Sequence, residues 1–293
     1  MSKTNRARLG LAGITVIWGT TFPLTKIILA EIPTFTYTTI RYSIAFLLML
    51  IIFGRSIITS WQALWKSGLI IGIALGLGYL TQTVGLGITS ASKAGFFTSL
   101  AVILVPVIEA LWYKKRPTTK SAISVSLAFV GLILLSGLLG DATSFNIGDA
   151  LVILCAISFA FHLILFDRLP PSSHRPTIVA QQFLVTALIS LVLCFSGEQF
   201  PKGAPSPQTW AIVVFMALMA TVVAFLVMAW AQRELSAGDV ALILLLEPVF
   251  AAIFSWMWLG ETLGVTGGIG AFLILVSLWL SSQSDSKDPN NLI

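Results

Sequence analysis

Ten apolar stretches, most of them about 20 residues long, follow one another along this chain with only short polar segments between them. A helix of that length is what a bilayer crossing requires. Hydrophobic residues make up 57% of the sequence and charged residues only 10%, which excludes an ordinary water-soluble domain. We therefore predict an all-α integral membrane protein with ten transmembrane helices in the lipid bilayer. The predicted spans lie near residues 9–29, 35–53, 67–87, 92–112, 121–139, 146–166, 177–196, 208–231, 237–258 and 263–281.

The distribution of Lys and Arg predicts the orientation of these helices, because cytoplasmic segments retain positive charge during insertion. With the N-terminus inside, thirteen of the 17 Lys and Arg residues fall in cytoplasmic segments and two in outer segments. The remaining two, Lys26 and Arg41, fall within spans. We therefore expect both termini in the cytoplasm, where the polar tail 283–293 has the composition of a flexible segment.

The two halves of the chain are similar to each other when they are aligned at an offset of about 140 residues. Pro106 in ILVPVIEALW matches Pro248 in LLEPVFAAIFSW. We predict one five-helix repeat over residues 1–140 and a second over 141–282. Because five is an odd number, the second repeat enters the membrane from the opposite side, and inverted repeats of this kind are typical of secondary transporters.

Three short motifs extend this interpretation to a family. They are Trp18-Gly19 with Phe22-Pro23, the run from Ser92 to Thr98 with the later Val105-Pro106, and Leu246-Glu247-Pro248-Val249 with Leu259-Gly260-Glu261-Thr262.

In the order and spacing of these motifs, the chain resembles the EamA branch of the drug/metabolite transporter superfamily over residues 9–281. The resemblance implies a 5+5 inverted repeat around a central cavity. It also implies export of amino acids or other small metabolites across the bacterial plasma membrane. The chain departs from the family at Lys114-Lys115-Arg116, where a glycine and a glutamate often follow the fourth span, and this leaves the substrate group open.

Glu247 is the most deeply placed charge in the sequence. It lies about ten residues into the ninth predicted span, which places it about 15 Å deep and near the bilayer midplane. The next residue, Pro248, has no N–H, so the Leu244 carbonyl loses its helical partner and a kink is expected. A carboxylate at such a site can bind a substrate ammonium or take up a proton. The alternative is a structural glutamate that pairs with a neighbouring helix.

Arg41 is the second buried charge that the sequence places inside a span. Its guanidinium can bind a substrate carboxylate, or it can form a structural ion pair, with Glu247 as one candidate partner. The repeat places Gln181 at the equivalent position of the second half, so each half contributes one polar group to a candidate site.

Aromatic and amide side chains within the spans are further candidates for the lining of a substrate cavity. Aromatic residues at such positions also commonly face lipid or the membrane interface. The candidates are Trp18, Tyr79, Gln82, Phe96, Phe97 and Trp230.

Four residues are candidates for helix kinks or gating: Pro106, Pro248, Glu109 and His162. We expect Glu109 to form a salt bridge with the cluster Lys114 to Arg116 at the inner end of the fourth span. A lone histidine such as His162 more often packs between helices than relays protons.

No ATP-binding or metal-ligand spacing is present in the sequence, so neither a cofactor nor a metal is expected, nor is a nucleic-acid partner. Glycines at positions 68, 72 and 76 predict that another helix packs closely against the third span. We interpret the chain as a secondary transporter that works by alternating access, and ten spans suffice for a monomer. The alternatives are a carrier for drugs, nucleosides or sugars, and a membrane enzyme acting on lipid-linked substrates.

Overall fold

The computed structural model describes residues 2–113, 119–135, 145–169, 174–195, 197–198, 203–260 and 264–282. All of the regular secondary structure in these residues is helical. Seven helical stretches are long and apolar enough to cross a membrane, and two shorter apolar helices, Ala122–Leu135 and Val265–Leu280, accompany them. The chain therefore has the architecture of a multi-pass membrane protein. The predicted flexible tail 283–293 lies outside the described residues.

The described helices are numbered here in chain order. They are α1 (Lys3–Leu29), α2 (Thr34–Ile88), α3 (Ala91–Ser99), α4 (Ala101–Tyr113), α5 (Thr119–Leu135), α6 (Ile147–Arg168), α7 (Arg175–Cys194), α8 (Pro207–Ala217), a π-helical turn (Leu218–Val223), α9 (Ala224–Ala231), α10 (Ala237–Leu244), α11 (Leu246–Leu259) and α12 (Val265–Ser282).

Helix α2 is a helical hairpin rather than one straight rod. Its 55 residues would extend about 80 Å if straight, far beyond the ~30 Å hydrocarbon core. The backbone leaves the helical region at Phe53, with φ −124° and ψ 15°. On either side of this point the rings of Phe46 and Trp61 approach to 6.3 Å, and those of Tyr42 and Tyr79 to 5.3 Å. The chain therefore doubles back at Phe53.

The segment 54–66 between the second and third predicted spans is helical, although the sequence analysis placed it outside both. Its hydroxyl side chains are accommodated within the helix, because Thr59 donates to the Arg55 carbonyl and Ser60 donates to the Ser56 carbonyl. Polar residues at this point therefore mark the end of an apolar stretch but not the end of a helix.

Three other predicted spans are interrupted within the membrane part of the chain. The fourth breaks at Leu100, between α3 and α4, and the ninth breaks at Leu245, between α10 and α11. The eighth contains the π-helical turn Leu218–Val223. Pro248 follows the break at Leu245 by three residues, whereas Pro106 lies inside α4, well past the break at Leu100.

Glycines allow the closest helix contacts. A Cβ added at Gly68 or Gly72 would clash with Gln181 or Val185 of α7, so the prediction that another helix packs on this stripe is confirmed. A Cβ at Gly19 of α1 would clash with Phe250 of α11. Helices α5 and α12 pack chiefly against each other, and neither contributes a residue to the cavity described next.

Candidate functional site

A cavity of about 70 Å³ lies where the two halves of the chain meet. This volume holds a few water molecules and is far below the roughly 300–1,000 Å³ of a typical ligand pocket. The cavity is therefore small and only partly enclosed. The residues that line it from the first half are Trp18, Thr21, Leu75, Tyr79, Gln82, Thr98, Ser99, Ala101 and Val102, and those from the second half are Phe159, His162, Leu163, Phe225, Met228, Ala241, Leu244 and Glu247.

Both broken helices contribute to this lining next to their breaks. Ser99 and Ala101 flank the break at Leu100, and Leu244 and Glu247 flank the break at Leu245. At both breaks the backbone tightens, because the Leu100 N–H donates to the Phe97 carbonyl and the Leu245 N–H donates to the Leu242 carbonyl, three residues back. The cavity thus lies at the irregular points of one helix from each half of the chain.

Glu247 is half-buried in the first turn of α11 and lines the cavity. Its carboxylate forms no hydrogen bond and no ion pair with any residue in the described ranges. The position in the first turn is favourable for a negative charge because of the helix dipole. The carboxylate is nevertheless without the direct partner that a buried charge requires.

Aromatic rings form much of the cavity wall and contact one another edge to face. Phe225 lies at the centre of this group, with its ring 5.8 Å from that of Trp18, 6.3 Å from Tyr79 and 6.0 Å from His162. The Tyr79 ring also lies 5.0 Å from that of Phe159. These contacts hold the wall in one arrangement.

Arg41 lies behind the cavity wall rather than in the cavity, and it is only 3% exposed. Its Cζ atom stacks 5.1 Å from the centre of the Tyr79 ring. Its Nε–H donates to the Thr221 hydroxyl at 2.8 Å, and its other nitrogens donate to the Tyr37 hydroxyl and the Ala220 carbonyl. The structure therefore does not bring Arg41 into an ion pair with Glu247.

The π-helical turn provides the acceptor that joins Arg41 to the wall. A π turn carries an extra residue and displaces carbonyl groups from their usual partners. The Ala220 carbonyl accepts from the indole N–H of Trp18 at 2.9 Å as well as from Arg41. The Thr221 hydroxyl donates to the Met216 carbonyl, which lies five residues earlier in α8. This irregular turn thus positions Trp18, which lies in the cavity wall, and Arg41, which lies behind it.

Gln82 and His162 also line the cavity and are both hydrogen-bonded. The Gln82 amide donates to the Thr98 hydroxyl at 3.1 Å. The His162 Nε2 lies 2.8 Å from the Gln182 Oε1, which can only accept, so Nε2 carries the hydrogen. His162 is held to its neighbouring helix on one side and faces the cavity on the other.

The other predicted site residues lie elsewhere. Gln181 is 3% exposed and donates to the Trp61 carbonyl, between α7 and α2. Phe97 packs against Phe96, and Trp230 is 38% exposed. None of these residues lines the cavity.

Glu109 lies away from the cavity and contacts Arg168 of α6 at 3.7 Å. The cluster Lys114 to Arg116, which the sequence analysis placed beside Glu109, lies outside the described residues. The observed contact joins α4 of the first half to α6 of the second half.

Sequence reasoning did not identify Phe225, Phe159 or the Ala220 carbonyl. Phe225 stands in the apolar run TVVAFLVMAW and has no polar neighbour that would distinguish it from a lipid-facing residue. A carbonyl released by a π turn has no side-chain signature at all.

Comparison with known proteins identifies the family. The model of the EamA-like transporter family matches residues 6–137 and again residues 146–283. An uncharacterized transporter of Archaeoglobus fulgidus is 39% identical over 278 residues, which are 94% of this chain and 85% of that protein. The uncharacterized transporter YoaV of Bacillus subtilis is 25% identical over 289 residues, which are 96% of this chain and 98% of YoaV.

A crystal structure of a protein with 17% sequence identity has the same fold, with a TM-score of 0.75 over 95% of this chain and 96% of that one. The extent of the family match, together with the identity to the Archaeoglobus protein, decides the assignment. The chain belongs to the EamA-like transporter family and is a multi-pass membrane transporter of small molecules.

Proposed function

We propose that the protein is a secondary transporter that exports small metabolites, amino acids or related amine-bearing compounds, by alternating access. The observation that carries this proposal is the small cavity between the two halves, with the unpartnered Glu247 carboxylate at its wall. A substrate ammonium is the group that such a carboxylate binds most favourably. Movement of the halves about this cavity exposes the bound substrate first to one side of the membrane and then to the other.

The proposal includes ten crossings arranged as two inverted repeats, residues 1–140 and 141–282. Seven long apolar helices, the doubling of α2 and two shorter apolar helices support this number. With both termini in the cytoplasm, the positive charges fall on the inner side of a bacterial plasma membrane. Both sets of cavity-lining residues come from one chain, so a monomer is sufficient.

Proton coupling is a further part of the proposal, and it assigns to Glu247 the exchange of a proton for the substrate cation. One carboxylate that binds either a proton or an ammonium, but not both, couples the two flows in opposite directions.

Counterflow in proteoliposomes tests the proposal. The purified protein is reconstituted, the vesicles are loaded with an unlabelled amino acid or amine, and uptake of the labelled compound is followed with and without an imposed pH gradient. We expect saturable exchange, and we expect an inward-acid gradient to change net flux but not the exchange at equilibrium.

The Glu247→Gln variant is expected to abolish the effect of the gradient. Glu234→Gln provides a matched control, because Glu234 lies in the turn after α9 and outside the cavity lining. Unsaturable flux that shows no counterflow would indicate a pore, and it would contradict alternating access.

A further inference from the structure

The charges around the cavity restrict which amines fit it, and this inference rests on the proposed function. Glu247 is the one carboxylate among the described lining residues, and the same lining contains neither Lys nor Arg. The His162 side chain, which also lines the cavity, is engaged through its Nε2–H by Gln182. The cavity therefore offers one carboxylate to an ammonium and offers a ligand carboxylate no cationic partner.

Arg41 is a cation that could compensate the charge of a ligand carboxylate, but it is not available to a ligand in the cavity. The Tyr79 ring stands between its guanidinium and the cavity, with Cζ 5.1 Å from the ring centre. The Tyr42 ring also packs against it, at 5.4 Å. Its hydrogen bonds go to Thr221, Tyr37 and the Ala220 carbonyl. A substrate carboxylate in the cavity would thus contact aromatic rings and not a guanidinium.

The same wall is suited to a cation with an apolar body. Trp18, Tyr79, Phe159 and Phe225 surround the space on several sides, and aromatic rings attract cations placed over their faces. An ammonium group gains from these rings and from the Glu247 carboxylate together. A carboxylate on the same molecule loses its hydration and gains no opposite charge in return, which is costly in a buried site.

We propose that the cavity selects monocationic amines that lack a carboxylate, and that it discriminates against the corresponding zwitterionic amino acids. The recognised group is an ammonium beside an apolar or aromatic body. The small cavity accommodates the ammonium end, and the body occupies the space that opens when the two halves separate.

A matched pair of ligands tests the proposal on the wild-type protein. Phenethylamine and phenylalanine differ only by the carboxylate, so competition between them in the counterflow assay isolates its effect. We expect phenethylamine to compete about tenfold or more tightly, which corresponds to leaving one charged group without a partner. Phenylalanine amide, which has the amine and a neutral carbonyl group, is expected to behave like phenethylamine.

Substitutions at Glu247 and at the control residue Glu234 test whether the selectivity depends on the Glu247 carboxylate. Glu247→Gln is expected to weaken competition by both ligands and to reduce the preference for the amine, because it removes the repulsion between Glu247 and a ligand carboxylate. Glu234→Gln is expected to change neither. Thermal unfolding of each purified variant in detergent establishes that it is folded. Because the ligand pair is compared on the wild-type chain, a variant that fails to fold leaves the main comparison intact.

Three outcomes would overturn the proposal. Equal or tighter competition by phenylalanine shows that a cation is available to the carboxylate, and loss of that competition in Arg41→Lys would identify it. A preference that is undiminished in folded Glu247→Gln places the selectivity elsewhere. Saturable counterflow of other cargo, with no competition by either amine, would agree with a carrier but would reject the amine selectivity. The absence of counterflow for every compound would instead contradict the proposed function itself.

Discussion

Glu31 and Glu198 each cap a helix that belongs to the other half of the chain. Glu31, which follows α1, accepts hydrogen bonds from the Ser206 amide at 2.6 Å and from its hydroxyl at 3.1 Å, at the start of α8. Glu198, which follows α7, accepts from the amides of Phe35 and Thr36 in the first turn of α2. The first amides of a helix have no partner within the helix, and negative charge is favourable there. These two reciprocal caps tie the halves together at one end of the molecule.

Removal of the Glu198 cap is expected to destabilise the protein. Glu198→Ala leaves the Phe35 and Thr36 amides without their acceptor, and the loss of a helix cap costs about 1–2 kcal/mol. The measurement is thermal unfolding in detergent, with Glu234→Ala as the control because no described hydrogen bond joins the Glu234 side chain to another residue. Equal Tm values for the two variants would show that the cap contributes nothing.

The Glu31 cap is expected to make stability depend on acid pH. The Ser206 amide, by donating to Glu31, holds the pKa of this carboxyl below its usual value, because the bond favours the charged form. A lowered folded-state pKa means that the stabilisation is fully present above the usual carboxyl pKa and is lost as the pH falls through the lowered value.

The measurement for Glu31 is the Tm of the wild type and of Glu31→Gln across this acid range. The wild type should lose more of its Tm than the variant as the pH falls, and the two curves should converge at the acid end. Parallel curves would refute the role assigned to Glu31.

A methyl group at position 19 should push α1 away from α11. The added Cβ would clash with the Phe250 side chain and lie 2.9 Å from its backbone carbon and 3.0 Å from the Ala251 nitrogen. Overpacking of this kind costs about 1–3 kcal/mol. Gly19→Ala is therefore expected to lower the Tm.

The matched control for this substitution is on the same helix. A Cβ at Gly13 meets no atom within 4 Å, so Gly13→Ala should be neutral or stabilising, since alanine has the higher helix propensity. If Gly19→Ala and Gly13→Ala gave the same Tm, the close approach at Gly19 would not be present in solution.

Removal of the Thr221 hydroxyl should leave the buried Arg41 with an unsatisfied N–H. Thr221→Val preserves the shape of the side chain but removes the acceptor at 2.8 Å, at an expected cost of about 1–3 kcal/mol. Thr186→Val is the control, because that hydroxyl bonds only to the carbonyl of Gln182 in its own helix. A cost for Thr221→Val no larger than that of the control would remove Thr221 from the support of Arg41.

The sequence was sufficient to predict a helical membrane protein and its family, because apolar length and short motifs are read directly from the residues. It was also sufficient to nominate Trp18, Tyr79, Gln82 and Glu247, which the structure brings to one cavity. Polar or aromatic side chains inside apolar spans are uncommon enough to stand out.

The depth of a residue in a span does not indicate which side of the helix it occupies. Arg41 is a candidate because of its depth, and Gln181 because the repeat makes it equivalent to Arg41, but both face neighbouring helices rather than the cavity. Hydropathy reports burial in lipid and not backbone geometry. It therefore predicts neither the helical segment 54–66 nor the break at Leu100.

The Ala220 carbonyl gives the π-helical turn a mechanical role. This single oxygen accepts hydrogen bonds from the Trp18 indole of α1 and the Arg41 guanidinium of α2, so the two helices share one point of attachment. The extra residue of a π turn can shift along its helix by one position, and such a shift would withdraw the oxygen from both donors at once. Trp18 would lose its anchor, and Arg41, which stacks on Tyr79, would lose one of its hydrogen bonds. Any rearrangement of the π-helical turn is therefore transmitted to two residues of the cavity wall together.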